Sequence, residues 1–264
     1  MKHVFRLFGA LVMLLAFGAA YAHDDPATIR LNADGMTIPA ELPQGVVTVT
    51  FANESDAPFA PLLARLHADV TPDAFLEALG SGEEAALSLV SLLGGTQAAP
   101  GETTAITFDL KAGNHVVLNF AGEAPDIQFF TVSDAHTSTE AAPEADIQVR
   151  LLDFAFALPV TIPAGEHTWQ IINEGGQWHE MAIMPIPADA TIADYRALMN
   201  GMFSGDGEPP QPVAFWQPNN QGEQAWVTWN LEPGFYVVAC FLPDFSTGHV
   251  HANEGMVQII EVTA

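Results

Sequence analysis

The chain has 264 residues, with 32 Asp and Glu against 7 Lys and Arg, a formal net charge of −25, and one cysteine. Such a charge repels nucleic acid and anionic lipid and favours solubility and encounters with basic proteins. The length allows two domains of about 100–150 residues each, and no stretch approaches the roughly 20 apolar residues that a membrane-spanning helix needs.

The first element in chain order is a targeting segment. Lys2 and Arg6 lead into an apolar stretch over 7–17 that closes on the small residues around Ala20 and Ala22. This layout predicts a secretory signal over 1–22, cleaved before His23, and so a secreted or periplasmic protein. Short β-type runs follow at 46–51, 104–110, 115–120, 168–172, 225–231, 235–240 and 257–262, bounded by Pro, Gly and Asn, as strands of a sandwich are. Thr71 before Pro72 reads as an N-cap with proline at the first helical position. Thr191 can cap a matching helix, and 84–93 predicts another short one. The polar, proline-containing stretch 133–144 reads as a linker, which divides the mature chain into domains at 23–132 and 145–264.

These two halves share a pattern. At an offset of 120, Ile29-Arg30-Leu31 aligns with Val149-Arg150-Leu151, Gly45 with Gly165, and Asn53-Glu54 with Asn173-Glu174; after one inserted residue Gly113 meets Gly234. A repeated plan of this kind means one structural unit used twice.

The chemistry is concentrated in the second half. Cys240 ends a β-run, a loop leads to His249 and His251, and Met256 follows after four residues, just before the next β-run. A hairpin-like return would bring thiolate, imidazole and thioether to one point. His179, past the strand at 168–172, supplies a second imidazole. A single cysteine in an exported protein calls for an explanation other than a disulfide within the chain. Two histidines, one cysteine and a weaker axial methionine describe a blue-copper electron-transfer site.

The order of a distant His, then Cys, loop, His and Met resembles the cupredoxin family of type 1 copper proteins. The resemblance implies a mainly β fold of two tandem cupredoxin-like Greek-key β-sandwiches with short helical inserts. It assigns His179 and His251 as nitrogen ligands, Cys240 as thiolate and Met256 as axial ligand of one copper ion. His249 stays a rival to His251, because two residues apart in extended chain they share a face. The loop from Cys240 to His251 is longer than in compact family members. In the repeat register His179 falls opposite Phe59, Cys240 opposite Asn119 and Met256 opposite Asp126, so the first domain is expected to lack metal.

Cys240 is flanked by Ala239 and Phe241, without the neighbouring histidines that oxygen- or nitrite-reducing relatives use to hold further copper. No enzyme activity is therefore expected. An electron carrier with a redox partner, a copper-binding or delivery protein with a copper-donor partner, and a metal-free interaction module all remain open. Zinc is a further option for a Cys/His₂ set.

Overall fold

Short apolar runs punctuated by proline and glycine leave room for little but strands, and a computed structural model of the chain is mainly β. The structure describes residues 27–121, 125–203, 211–244 and 246–264; the expected signal at 1–22 lies outside them. The chain divides into two units, residues 1–142 and 143–264.

The first unit contains β1 (Thr28–Asn32), β2 (Gly35–Thr37), β3 (Glu41–Asn53), β4 (Pro61–Leu66), α1 (Pro72–Ser81), α2 (Glu83–Leu87), β5 (Val90–Gly94), β6 (Thr103–Leu110), β7 (Gly113–Asn119) and β8 (Asp126–Thr137). One sheet runs β2-β1-β3-β6, with β1 parallel to β3. The other runs β3-β8-β7-β4-β5. Strand β3 serves both, and it changes sheet at Gly45, whose φ of 97° lies where a side chain is strained. Between the sheets Ile29, Val49, Phe51, Leu63, Ile106 and Leu118 are almost wholly buried, each contributing about 1.5–3 kcal/mol by removal from water.

The second unit contains β9 (Ile147–Leu152), β10 (Ala155–Ala157), β11 (Thr161–Pro163), β12 (Gly165–Asn173), β13 (His179–Ile186), α3 (Ile192–Phe203), β14 (Ala214–Asn219), β15 (Gln224–Leu231), β16 (Gly234–Ala239), α4 (His251–Glu254) and β17 (Val257–Thr263). Its sheets run β10-β9-β12-β15 and β11-β17-β16-β13-β14. The break between β11 and β12 falls at Gly165, φ 107°, the place Gly45 holds in the first unit. Trp169, Ile171, Ile183, Trp216, Val227 and Val238 fill the interior. The fold is thus a β-sandwich architecture with short helical inserts. Among the described residues no helix is long and apolar enough to cross a membrane.

Both predicted caps form: Thr71 Oγ1 accepts from the Ala74 N–H and Thr191 Oγ1 from the Asp194 N–H, each at 3.2 Å. Two expectations need correction. The helix predicted over 84–93 ends at Leu87, and 90–94 is strand β5, because its apolar side chains are buried as it pairs with β4. The stretch 133–144 does not begin as a linker. Strand β8 runs on to Thr137, Ser138 N–H donates to Gln44 O at 2.7 Å, and Glu140 accepts from Thr48 N–H at 3.0 Å. Backbone pairing with β3 carries β8 through this stretch, whose exposed polar side chains need no burial.

Candidate metal centre

His179 opens β13. It is delivered there by a loop over 174–178 that is tied down from Asn173, a fully buried side chain. Asn173 Nδ2 donates to the carbonyls of Gln177 (2.8 Å) and Asn219 (2.7 Å), and its Oδ1 accepts from Gly175 N–H (2.9 Å). The imidazole is buried there, beside a register shift in which two steps of β13, from His179 to Met181, face three of β14, from Asn219 to Trp216.

Cys240 follows the last residue of β16, and its N–H donates to Met256 O at 3.2 Å, which closes the long loop at its base. The loop folds on itself. Pro243 bridges Val250, Asp244 N–H donates to His249 O at 2.8 Å, and His251 N–H donates to Leu242 O at 2.8 Å. The chain then enters the single turn α4, which begins at His251, and Met256 N–H returns to His251 O at 2.9 Å. The length of the loop is taken up in this hairpin and turn, so Cys240 and His251 still meet.

One donor atom each from His179, Cys240 and His251 lies within 4.8 Å of the other two, and all three residues are buried. His179 Nδ1 stands 3.2 Å from His251 Nδ1, and Cys240 Sγ stands 3.4 Å from His251 Nδ1. The outer nitrogens are engaged elsewhere. His179 Nε2 donates to Asp153 Oδ1 at 3.0 Å, and His251 Nε2 donates to Gln177 Oε1 at 3.3 Å. A carboxylate only accepts, so His179 keeps its lone pair on Nδ1. Two imidazole lone pairs and a sulfur thus converge on one buried point. Met256 is wholly buried beside them in the chain path. His249 is not part of the group: its side chain is 69% exposed and its Nδ1 bonds Glu254 Oε1 at 2.9 Å. Met181 and Met184 are buried in the packing of β13.

Burial dominates the electrostatics. It lowers the proton affinity of His179, against the opposing pull of Asp153, and with the neighbouring His179 it lowers the pKa of His251 to about 4. Burial also pushes the Cys240 thiol up, with Glu180 adding to the effect and the N–H groups of Glu180 and Leu242 opposing it. Glu180 itself is pushed up to about 7 by burial, although it accepts the Phe241 N–H at 2.9 Å. Asp153 is raised by burial but held below the ordinary carboxylate range by the N–H donors of Gly176, His179 and Gln177. In the absence of a cation the pocket keeps neutral imidazoles and a thiol. A soft divalent or monovalent metal would displace the thiol proton outright.

Asp153, Phe154, Gln177 and Glu180 were not singled out from sequence. The repeat register places Ala33, Asp34, Ala57 and Ala60 opposite them, so the self-comparison that isolates the donors also carries this signal.

No protein-family model matches the chain, and no curated protein matches it in sequence. Among solved structures it is similar to auracyanin B, at 23% identity over 47% of this chain and 94% of that one, with a TM-score of 0.32. It is similar to the reduced auracyanin of Roseiflexus castenholzii at 19% identity, over 44% of this chain and 95% of that one, TM-score 0.33. A multicopper oxidase aligns over 89% of this chain and 88% of its own, at 14% identity and a TM-score of 0.26.

Proposed function

We propose that the chain is an exported copper-binding protein that carries electrons by cycling Cu(II)/Cu(I) at one mononuclear site in residues 143–264, in the manner of type 1 copper cupredoxins. The observation that carries this reading is the convergence of three buried residues, His179, Cys240 and His251, with one donor atom from each within 4.8 Å of the others. That donor set, two imidazoles and one thiolate with a thioether in reserve, is the one suited to blue copper. His179, Cys240 and His251 would hold the ion, and Met256 would be the weaker axial donor. The ion when bound supplies a one-electron couple. The protein's own part is to keep both imidazoles neutral, to shield the sulfur from water, and to hold the donors fixed so that little rearranges as the charge changes.

Three protein donors and a buried axial residue leave no open position for a substrate, and Cys240 lacks flanking histidines, so the reading is a carrier and not an enzyme. The first unit is read as a cupredoxin-like body without metal donors, in tandem with the second. Signal cleavage after residue 22 would send the protein to the periplasm or beyond, and its acidic surface fits a basic redox or copper-donor partner.

The test is visible absorption and electron paramagnetic resonance of the mature protein with one equivalent of Cu(II), beside Cys240→Ser. An intense thiolate-to-copper band that vanishes in Cys240→Ser is expected. Tight Cu(I) binding without colour would replace the carrier by a delivery protein, and a preference for zinc would replace the metal.

A further inference from the structure

We propose that Asp153 is the positioning residue of this site, one carboxylate that fixes the tautomer of His179 directly and the placement of His251 through the 174–178 loop. The inference rests on the copper reading for its redox consequence, but its geometric part stands without it.

Asp153 and Phe154 form the two-residue turn of the β9–β10 hairpin, in which Leu152 pairs with Ala155. The turn is not built for local comfort. Phe154 has φ 62°, and it is the only described non-glycine residue at positive φ. Hairpin turns that need this conformation favour Asn-Gly or Asp-Gly, and strain of this kind is retained where the surroundings impose it, often at functional sites. Here the surroundings are the two imidazoles. Asp153 Oδ1 accepts from His179 Nε2 (3.0 Å) and from Gln177 N–H (3.2 Å), and Oδ2 accepts from Gly176 N–H (3.0 Å). Gln177, held by that bond, turns its own Oε1 to His251 Nε2 (3.3 Å). The Phe154 ring meets His251 edge-on, at 5.2 Å and 82° between planes.

The opposite loop is shaped for the same carboxylate. A Cβ on Gly175 would stand 2.5 Å from His179 Nε2 and 2.6 Å from Asp153 Oδ1, and one on Gly176 would stand 3.3 Å from Asp153 Oδ2. In the first unit these glycines are Ser55 and Asp56, and Asp153 is Ala33. Turn, glycine pair and histidine therefore form one device, present only where the donors are.

The device has two effects. It holds His179 with its proton on Nε2 and its Nδ1 lone pair facing Cys240 before any metal arrives. A carboxylate bonded to a ligating imidazole also raises its basicity, which favours Cu(II) over Cu(I) and lowers the reduction potential.

The experiment compares wild type, Asp153→Asn and Asp153→Ala as full mature chains. The first readout is ¹H–¹⁵N long-range correlation of the His179 ring in metal-free protein; the second is Cu(II) affinity and reduction potential. Wild type is expected as the Nε2–H tautomer. Asp153→Asn, which keeps an oxygen acceptor, is expected to retain that tautomer and to raise the potential. Asp153→Ala is expected to mix tautomers and to lose about 10–100-fold in Cu(II) affinity. A pure Nε2–H tautomer in Asp153→Ala, or a wild-type potential in Asp153→Asn, would overturn the proposal. A wild type that takes up no copper while its tautomer still depends on Asp153 would remove the copper reading and leave the positioning role standing.

Discussion

At the point where residues 143–264 bring His179, Cys240 and His251 together, residues 1–142 hold Phe59 and Asn119 and replace the long 241–255 connection by residues 120–125. Phe59 packs edge-on against Phe51, with ring centroids 6.2 Å apart. Asn119 Oδ1 accepts from the N–H groups of Ala60 and Ala121. The framework around these positions is the same in both units. Asn53 Nδ2 donates to the carbonyls of Ala57 and Ala98, as Asn173 Nδ2 does to those of Gln177 and Asn219. Arg30 pairs with Glu54, as Arg150 pairs with Glu174. The difference separates two kinds of residue. Loop ties and sheet switches recur because the fold needs them, while the converging donors and the groups that orient them occur together in one unit and are absent together from the other, as a site that the fold itself does not require would be.

The largest expected effect on stability that distinguishes the units belongs to the first. His115 is buried, its Nδ1 lies 3.1 Å from Gly113 O, and its ring lies 5.2 Å from that of Phe130; Tyr236 takes its place in the second unit, opposite Pro185 as His115 is opposite Arg65. Burial, aided by the charge of Arg65 and opposed by the Gly113 carbonyl, lowers the pKa of His115 from 6.5 to about 4. The folded state binds this proton less readily than the unfolded chain. Its stabilising share is therefore full above pH 6.5 and is lost as the pH falls from 6.5 towards 4, about 3 kcal/mol in all. Urea unfolding as a function of pH is expected to show a shallower acid decline in His115→Leu than in wild type. Equal slopes would mean that this ring is solvated.

A smaller effect tests the shared framework. Asn53→Ala and Asn173→Ala each remove two hydrogen bonds from a buried amide to loop carbonyls, one of them buried, and should each cost about 1–3 kcal/mol in chemical denaturation. Only Asn173→Ala should also weaken copper binding, since Gln177 and His179 ride on its loop. Equal effects on copper from both variants would dissolve the distinction between framework and site.

Much of this was legible in sequence where side chains alternate or carry unusual chemistry. The runs at 104–110 and 225–231 became β6 and β15 with small changes of boundary. Strands β4 and β13 escaped because they are covered on both faces: His179 to Met184 are six successive buried residues, and alternation exists only where one face meets water. Cys240 and the histidines stood out as residue types. Spacing alone could not choose between His249 and His251, because the choice depends on a one-turn helix that begins at His251 and turns His249 outward. Asp153 and Gln177 are common polar residues at a distance along the chain from what they hold, and only the hairpin turn and the glycine pair give them their place.

In the proposed carrier the donors of the second unit, and nothing in the first, hold the metal. The most direct measurement is copper bound per chain, by equilibrium dialysis and elemental analysis, for the mature wild type and for His179→Phe, which installs at 179 the residue found at 59. One copper per wild-type chain and none retained at the same free copper concentration by His179→Phe is the predicted result. Two coppers per chain, or a full complement in His179→Phe, would contradict it.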